Sequence, residues 1–223
     1  MKKIAILDSG IGNLKSICNA LQRTGAEARI VGNEKGIGSA RREMEMTENG
    51  TETAKIEIES ADAIILPGVG AFDAAMGKVR GLEGALLNEI GNGKPVLGIC
   101  LGMQMLFEKS EEGKEKGLGV FKGEAVRFGK TNGLKVPQMG WNQLERIDGR
   151  CGLLEGIKEN DFVYFVHSYY CVPKDGKIVA SETEYGKSFA SAVWKKNIFG
   201  VQFHPEKSGE AGKRIVENFV EMI

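Results

Sequence analysis

The chain has 223 residues, 42% of them hydrophobic, and Lys+Arg and Asp+Glu both total 30, so the formal net charge is zero. That length admits one large α/β domain or two small ones, and the composition is enough to fill a sizeable core. The charge balance carries no electrostatic footprint of a nucleic-acid or membrane partner, while a net charge near zero lowers the barrier to protein association.

Residues 4–7 form an apolar run that predicts a buried strand, followed by the glycine-rich turn Ser9-Gly10-Ile11-Gly12-Asn13. A lone G-x-G is weak evidence for phosphate binding, and a tight turn is the simpler reading. Leu14, Ile17, Cys18 and Leu21 recur at helical spacing up to Gly25, and residues 28–31 read as a second strand. Residues 33–59 are charged, poor in large apolar side chains and expected to be a solvated surface excursion. Within them, residues 54–60 alternate Ile56 and Ile58 with Lys55, Glu57 and Glu59, which predicts a half-exposed strand.

Residues 63–66 make a third strand, stopped by Pro67-Gly68-Val69-Gly70. Leu82, Leu86, Leu87 and Ile90 mark a helix ending at Gly91, and residues 95–99 give another buried strand. Apolar strands alternating with amphipathic helices predict a parallel sheet covered on both faces. Beyond Gly119 the runs 124–128, 162–170, 177–183, 188–194 and 198–203 read as strands, several paired antiparallel, and 211–223 as a closing helix. The whole chain, residues 1–223, is expected to be one domain.

The four cysteines, Cys18, Cys100, Cys151 and Cys171, have neither pairing nor metal-ligand spacing, and are expected to be free thiols in a reducing compartment. The basic start at Met1 leads into too few apolar residues for a signal segment, and no run of about 18 apolar residues follows. A soluble, cytoplasmic protein is expected.

Two segments carry chemistry. Gly98-Ile99-Cys100-Leu101-Gly102 has the form of a nucleophile elbow, in which a sharp strand-to-helix turn lifts the central side chain and leaves room only for glycine beside it. The sulfur would sit near a helix N-terminus, which favours thiolate. Phe203-His204-Pro205-Glu206 delivers a histidine and, two residues on, a carboxylate that can orient it, the proline stiffening the link. Cysteine, histidine and carboxylate are the parts of an activated thiol nucleophile. Pro67-Gly68-Val69-Gly70 can aim a backbone N–H into a cleft as an oxyanion donor requires, or be a plain tight turn. His167, inside an aromatic run, reads as a core group. Trp141, between Gly140 and Asn142, marks an interface if exposed and core if buried.

Together the elbow, the terminal Gln202-Phe203-His204-Pro205-Glu206-Lys207-Ser208, Pro67-Gly68-Val69-Gly70, Pro137-Gln138-Met139-Gly140-Trp141-Asn142 and Phe165-Val166-His167-Ser168-Tyr169 resemble the class I, triad-type glutamine amidotransferases over nearly the whole chain. Within that class they are similar to the glutaminase subunits of imidazole glycerol phosphate synthase. The resemblance implies a flavodoxin-like open α/β sheet with a parallel core and antiparallel additions. It also implies glutamine hydrolysis through a cysteinyl thioester, with ammonia passed to a cyclase subunit in a heterodimer. There ammonia would convert PRFAR, an amino-sugar nucleotide precursor, to imidazole glycerol phosphate and an aminoimidazole carboxamide ribotide in histidine biosynthesis. By motif match Cys100 is nucleophile, His204 base and then acid, and Glu206 the orienting carboxylate. Val69, Gly70 and Leu101 would form the oxyanion hole, and Gly68 and Gln104 would contact glutamine. Asn13, Trp141, His167 and Lys207 match positions near the partner interface. No metal and no organic cofactor is implied. Two departures stand out: the 33–59 segment exceeds the family's usual connection, and Gln138 replaces a common histidine. The rival readings are a glutaminase of the same class feeding a chorismate- or nucleotide-using synthase, and a catalytically idle regulatory subunit.

Overall fold

The computed structural model describes residues 1–8, 14–32, 48–129 and 134–223. The glycine-rich turn with Asn13, and residues 33–47, lie outside the described residues. In chain order the elements are β1 (Lys3–Leu7), α1 (Leu14–Arg23), β2 (Glu27–Val31), α2 (Glu48–Ser60), β3 (Ala63–Leu66), α3 (Phe72–Val79), α4 (Glu83–Gly91), β4 (Val96–Ile99) and α5 (Leu101–Met105). There follow β5 (Lys109–Ser110), β6 (Gly123–Arg127), β7 (Gln138–Gln143), β8 (Phe162–His167), β9 (Tyr169–Pro173), β10 (Val179–Glu184), β11 (Ser188–Lys195), β12 (Ile198–Val201) and α6 (Gly209–Glu221).

Seven strands form the main sheet in the order β10-β11-β12-β4-β3-β1-β2. From β12 to β2 every pairing is parallel, and β10 and β11 add antiparallel strands at one edge. This is the open α/β sheet expected. Strand side chains alternate between faces, and two cores result. Ile4, Ile6, Ile65, Leu97 and Ile99 pack with Ile17 and Leu21 of α1 and Ile215 and Phe219 of α6. Ala5, Leu7, Ile64, Leu66 and Val96 pack with Ile58 of α2, Phe72 and Met76 of α3 and Leu86 of α4. A small sheet β5-β6-β9 and the antiparallel pair β7-β8 lie beside it.

Three expectations are corrected. Residues 54–60 belong to the helix α2 rather than to a strand. Ala54, Ile58 and Ala61 are buried while Ile56 is 57% exposed, so the buried positions follow i, i+4, i+7 and the apparent alternation of two isoleucines was accidental. Glu and Lys are also good helix formers, and Lys94 Nζ closes the helix end by donating to the carbonyls of Ile58 and Glu59, both at 2.8 Å. Part of the supposed surface excursion is therefore core. Trp141, which the glycine-containing run Pro137-Gln138-Met139-Gly140-Trp141-Asn142 predicts to lie in a loop, lies instead in strand β7, despite Gly140 at φ +133°. The run 162–170 is two strands, because Ser168 redirects the chain from pairing with β7 to pairing with β6.

Candidate active site

Parallel pairing of β4 with β12 puts Ile99 beside Val201 at the carboxyl ends of both strands, where open α/β sheets bind their ligands. Cys100 follows Ile99 directly, and its N–H donates to the Val201 carbonyl at 2.8 Å. Its backbone turns to φ +55°, ψ −109° before α5 begins, a left-handed conformation that a non-glycine residue holds only when its surroundings impose it. A Cβ on Gly102 would run into the Leu66 carbonyl, and one on Gly98 would lie 2.7 Å from the Gly102 oxygen. Both elbow glycines are thus required by close backbone approach.

His204 comes three residues after Val201. Its N–H donates to the Tyr164 carbonyl at 2.9 Å, and Ser208 Oγ donates to its carbonyl at 2.6 Å while accepting from Tyr164 N–H at 2.9 Å. Pro205–Lys207 forms one 3-10 turn with proline at its start, which folds the Glu206 carboxylate back to His204. Glu206 Oε1 lies 2.9 Å from Nδ1, and both side chains are almost wholly buried. Nε2 of His204 and Oε2 of Glu206 are buried without a partner of good geometry among the described residues. Burial alone would lower the imidazole, but hydrogen bonding to the Cys100 sulfur and to Glu206, and the charges of both, outweigh it and hold His204 at about 10. The imidazolium is the favoured form of His204.

The cleft over the sulfur has a volume of about 260 Å³ and is lined by Val69, Gly70, Cys100, Leu101, Gln104, Glu112, Pro137, Val166, His167, Ser168 and Tyr169. Four residues expected near the reacting carbonyl, Val69, Gly70, Leu101 and Gln104, therefore line one cavity with Cys100. Gly68 packs directly behind, where an added Cβ would sit 2.9 Å from that of Leu101. Of the expected oxyanion donors, Leu101 N–H is engaged by the Gly68 carbonyl at 3.3 Å, and Gly70 takes φ +102°. Gln104 is buried, its Nε2 donating to the Tyr169 carbonyl at 3.1 Å and to Gln202 Oε1 at 3.2 Å.

The residues matched to a partner interface divide. Trp141 is 55% exposed, and Met139 and Phe162 stand exposed with it. The register Met139↔Val166, Trp141↔Tyr164, Gln143↔Phe162 puts these on one face of the β7-β8 pair. Trp141 meets Tyr164 edge-on at 6.0 Å between centroids, and exposed Lys207 holds Nζ 5.8 Å from the same ring. His167 lies on the opposite face, buried among Phe128, Phe165 and Phe189. Its Nδ1 bonds the Tyr169 carbonyl at 2.8 Å. Gln138, directly across from it, is buried with Oε1 unpartnered among the described residues, as is His167 Nε2.

Sequence reasoning missed Glu112, Pro137, Val166, Ser168 and Tyr169 as cleft residues, and Gln202 as a neighbour of the sulfur. Only Gln202 carried a signal, since it opens the terminal motif Gln202-Phe203-His204-Pro205-Glu206 that delivers the histidine. Among the described residues, Glu112 is the one carboxylate lining the cleft. It reaches the cleft through a clasp: its Oε2 accepts from Phe72 N–H at 2.9 Å, while Asp73 accepts from Lys114 and Glu115 N–H at 3.0 Å. All four cysteines are free and buried.

The model of the class-I glutamine amidotransferase family matches residues 5–223. The imidazole glycerol phosphate synthase subunit HisH of Trichodesmium erythraeum is 43% identical over 226 residues, covering 100% of this chain and 96% of that protein. The subunit of the same name from Methanothermobacter thermautotrophicus is 45% identical over 221 residues, covering 99% and 98%. Among solved structures, PurLQS from Thermotoga maritima superposes with TM-score 0.71 at 18% identity, over 99% of this chain and 98% of that one. The glutaminase domain of Trypanosoma brucei CTPS with bound acivicin gives 0.67 at 16%, over 100% and 92%. At these identities the structural likeness shows the fold.

Proposed function

Because the chain belongs to the class-I glutamine amidotransferase family, we propose that it hydrolyses glutamine at Cys100 and passes the ammonia to a cyclase, as the glutaminase subunit of imidazole glycerol phosphate synthase. Residues 1–223 act as one domain in the cytoplasm, in a heterodimer with that cyclase. The observation that carries the reading is the buried His204–Glu206 pair at 2.9 Å beside an elbow cysteine that opens into a cleft. Full-length identity above 40% with HisH subunits supports the choice of pathway.

The chemistry follows from the geometry. A side-chain amide resists attack, so a thiolate is needed together with donors for the developing oxyanion. Cys100 Sγ attacks the amide carbonyl of glutamine, His204 Nε2 gives its proton to the leaving nitrogen, and ammonia departs. Water then attacks the thioester with His204 as base, releasing glutamate. Glu206 holds the imidazole by Nδ1 throughout. Glu112, at the mouth of the cleft, offers a carboxylate for the substrate α-ammonium group.

The exposed face of Met139, Trp141 and Phe162 is the docking surface for the cyclase. It backs directly onto the site, since Tyr164 supplies the carbonyl that receives His204 N–H and Val166 supplies one 3.8 Å from the Cys100 sulfur. With Leu101 N–H engaged by Gly68, the resting oxyanion hole is short of a donor, and one donor accounts for about 10²–10³ in rate. Docking of the cyclase frees it by rotating a peptide in the Gly68–Gly70 turn. The experiment is steady-state glutamate release by the chain alone, with the cyclase, and with the cyclase and PRFAR. An increase of about 10² or more, with imidazole glycerol phosphate formed from glutamine, is expected. Full activity of the isolated chain, unchanged by either addition, overturns the coupling, and release without formation of that product overturns the pathway.

A further inference from the structure

The pairing that delivers Cys100 also delivers a neighbour that the reaction can use. Ile99 and Val201 end β4 and β12 side by side, so Gln202 follows Val201 as Cys100 follows Ile99. Gln202 is fully buried, and its Nε2 lies 3.6 Å from the Cys100 sulfur. The orientation of its amide is determined by an unambiguous acceptor. The Tyr169 carbonyl can only accept, which makes the Gln104 nitrogen 3.1 Å away a donor. That nitrogen also donates to Gln202 Oε1 at 3.2 Å, so the amide of Gln202 turns its N–H toward the sulfur.

The sulfur therefore stands between opposed groups. As a thiol it donates weakly to the Val166 carbonyl at 3.8 Å, an oxygen that disfavours negative charge beside it. As a thiolate it gains from a donor, because a buried anion without one is costly. We propose that Gln202 is a further catalytic residue: its side-chain N–H supports the Cys100 thiolate, and Gln104 is the positioning residue that sets the amide's orientation. This rests on Cys100 being the nucleophile. The other titratable groups facing the sulfur are His204, Cys171 on β9 and His167 on β8, with Glu206 behind His204 and Glu112 at the cleft mouth.

The test is the pH dependence of Cys100 alkylation by iodoacetamide in the full chain, compared with Gln202→Met and Gln104→Met. In Gln202→Met the midpoint is expected to rise by about one pH unit, a tenfold smaller thiolate fraction at pH values below both midpoints. The rate plateau at high pH is expected to rise about two- to threefold, because a more basic thiolate is the better nucleophile. A purely structural disturbance gives no such crossing of profiles. Gln104→Met moves the midpoint the same way by less, and decides the matter if Gln202→Met does not fold. An unmoved midpoint in the folded variants overturns the proposal. Failure of an electrophilic glutamine analogue to label Cys100 in the unaltered chain instead overturns the assignment of the nucleophile.

Discussion

The chain has two histidines, buried to nearly the same degree at 5% exposure for His167 and 3% for His204, yet the protein drives them in opposite directions. Burial pushes His167 down to about 4, against a hydrogen bond to the Tyr169 carbonyl that only partly compensates, and the positive charge of His204 pushes it further. His204 suffers the same desolvation but ends at about 10, because the Cys100 sulfur and the Glu206 carboxylate favour its charged form. Desolvation alone makes a buried imidazole neutral; an anionic partner on each side reverses that. Of the two, only His204 is held in the protonated form from which a proton can be given up at neutral pH. The other presents its Phe128, Phe165 and Phe189 neighbours with a ring that need not be charged.

The comparison is broken most directly at the nitrogens. His204→Asn should reduce single-turnover thioester formation by about 10⁴, the upper end for a lost general acid–base, whereas His167→Asn should cost less than about tenfold. Rapid-quench measurement of the acyl-enzyme distinguishes them, and equal losses would undo the division of roles. Glu206→Gln comes next, at about 10² in the same assay, since the amide still accepts a hydrogen bond but removes a charge that favours the imidazolium. If the carboxylate matters through that charge, the variant's rate should also fall off at a lower pH than that of the unaltered chain. A uniform loss at all pH values would mean that Glu206 only orients the ring.

The parts of this site that local sequence could disclose are those held by local backbone. Cys100 sits between glycines whose necessity is a matter of a few ångströms to Leu66 and Gly102, and His204 and Glu206 lie within one turn of each other. Their placement was legible, as was the alternation of apolar strands and helices that became the seven-stranded sheet. What escaped depended on contacts between distant segments. The position of Gln202 against the sulfur requires the register of β12 on β4. The reach of Glu112 to the cleft requires its clasp with Phe72 and that of Asp73 on the following loop. Ile56 and Ile58 showed a strand-like alternation, and only packing of Ile58 into the core chose the helix. Trp141 could be read as interface or core until pairing with Tyr164 on β8 put it on an exposed face.

The smallest effect on catalysis is also the sharpest test of the difference between the histidines, because it appears in stability. For His167 the unfolded chain, titrating near 6.5, binds more protons than the folded one between that pH and about 4. Its contribution is therefore complete above about pH 6.5 and is lost as pH falls toward 4. A shift of that size corresponds to about 3 kcal/mol. For His204 the folded chain binds the extra proton, so its contribution is complete below about 6.5 and lost as pH rises through about 10. Urea unfolding of the unaltered chain and of His167→Asn, at pH 7 and pH 4.5, isolates the first effect. The variant should lose stability at pH 7 through its cavity and missing ring contacts, yet lose distinctly less than the unaltered chain on going to pH 4.5. A parallel fall in both proteins would mean that His167 takes up its proton as readily in the folded chain as in the unfolded one, and that the aromatic pocket does not hold it neutral.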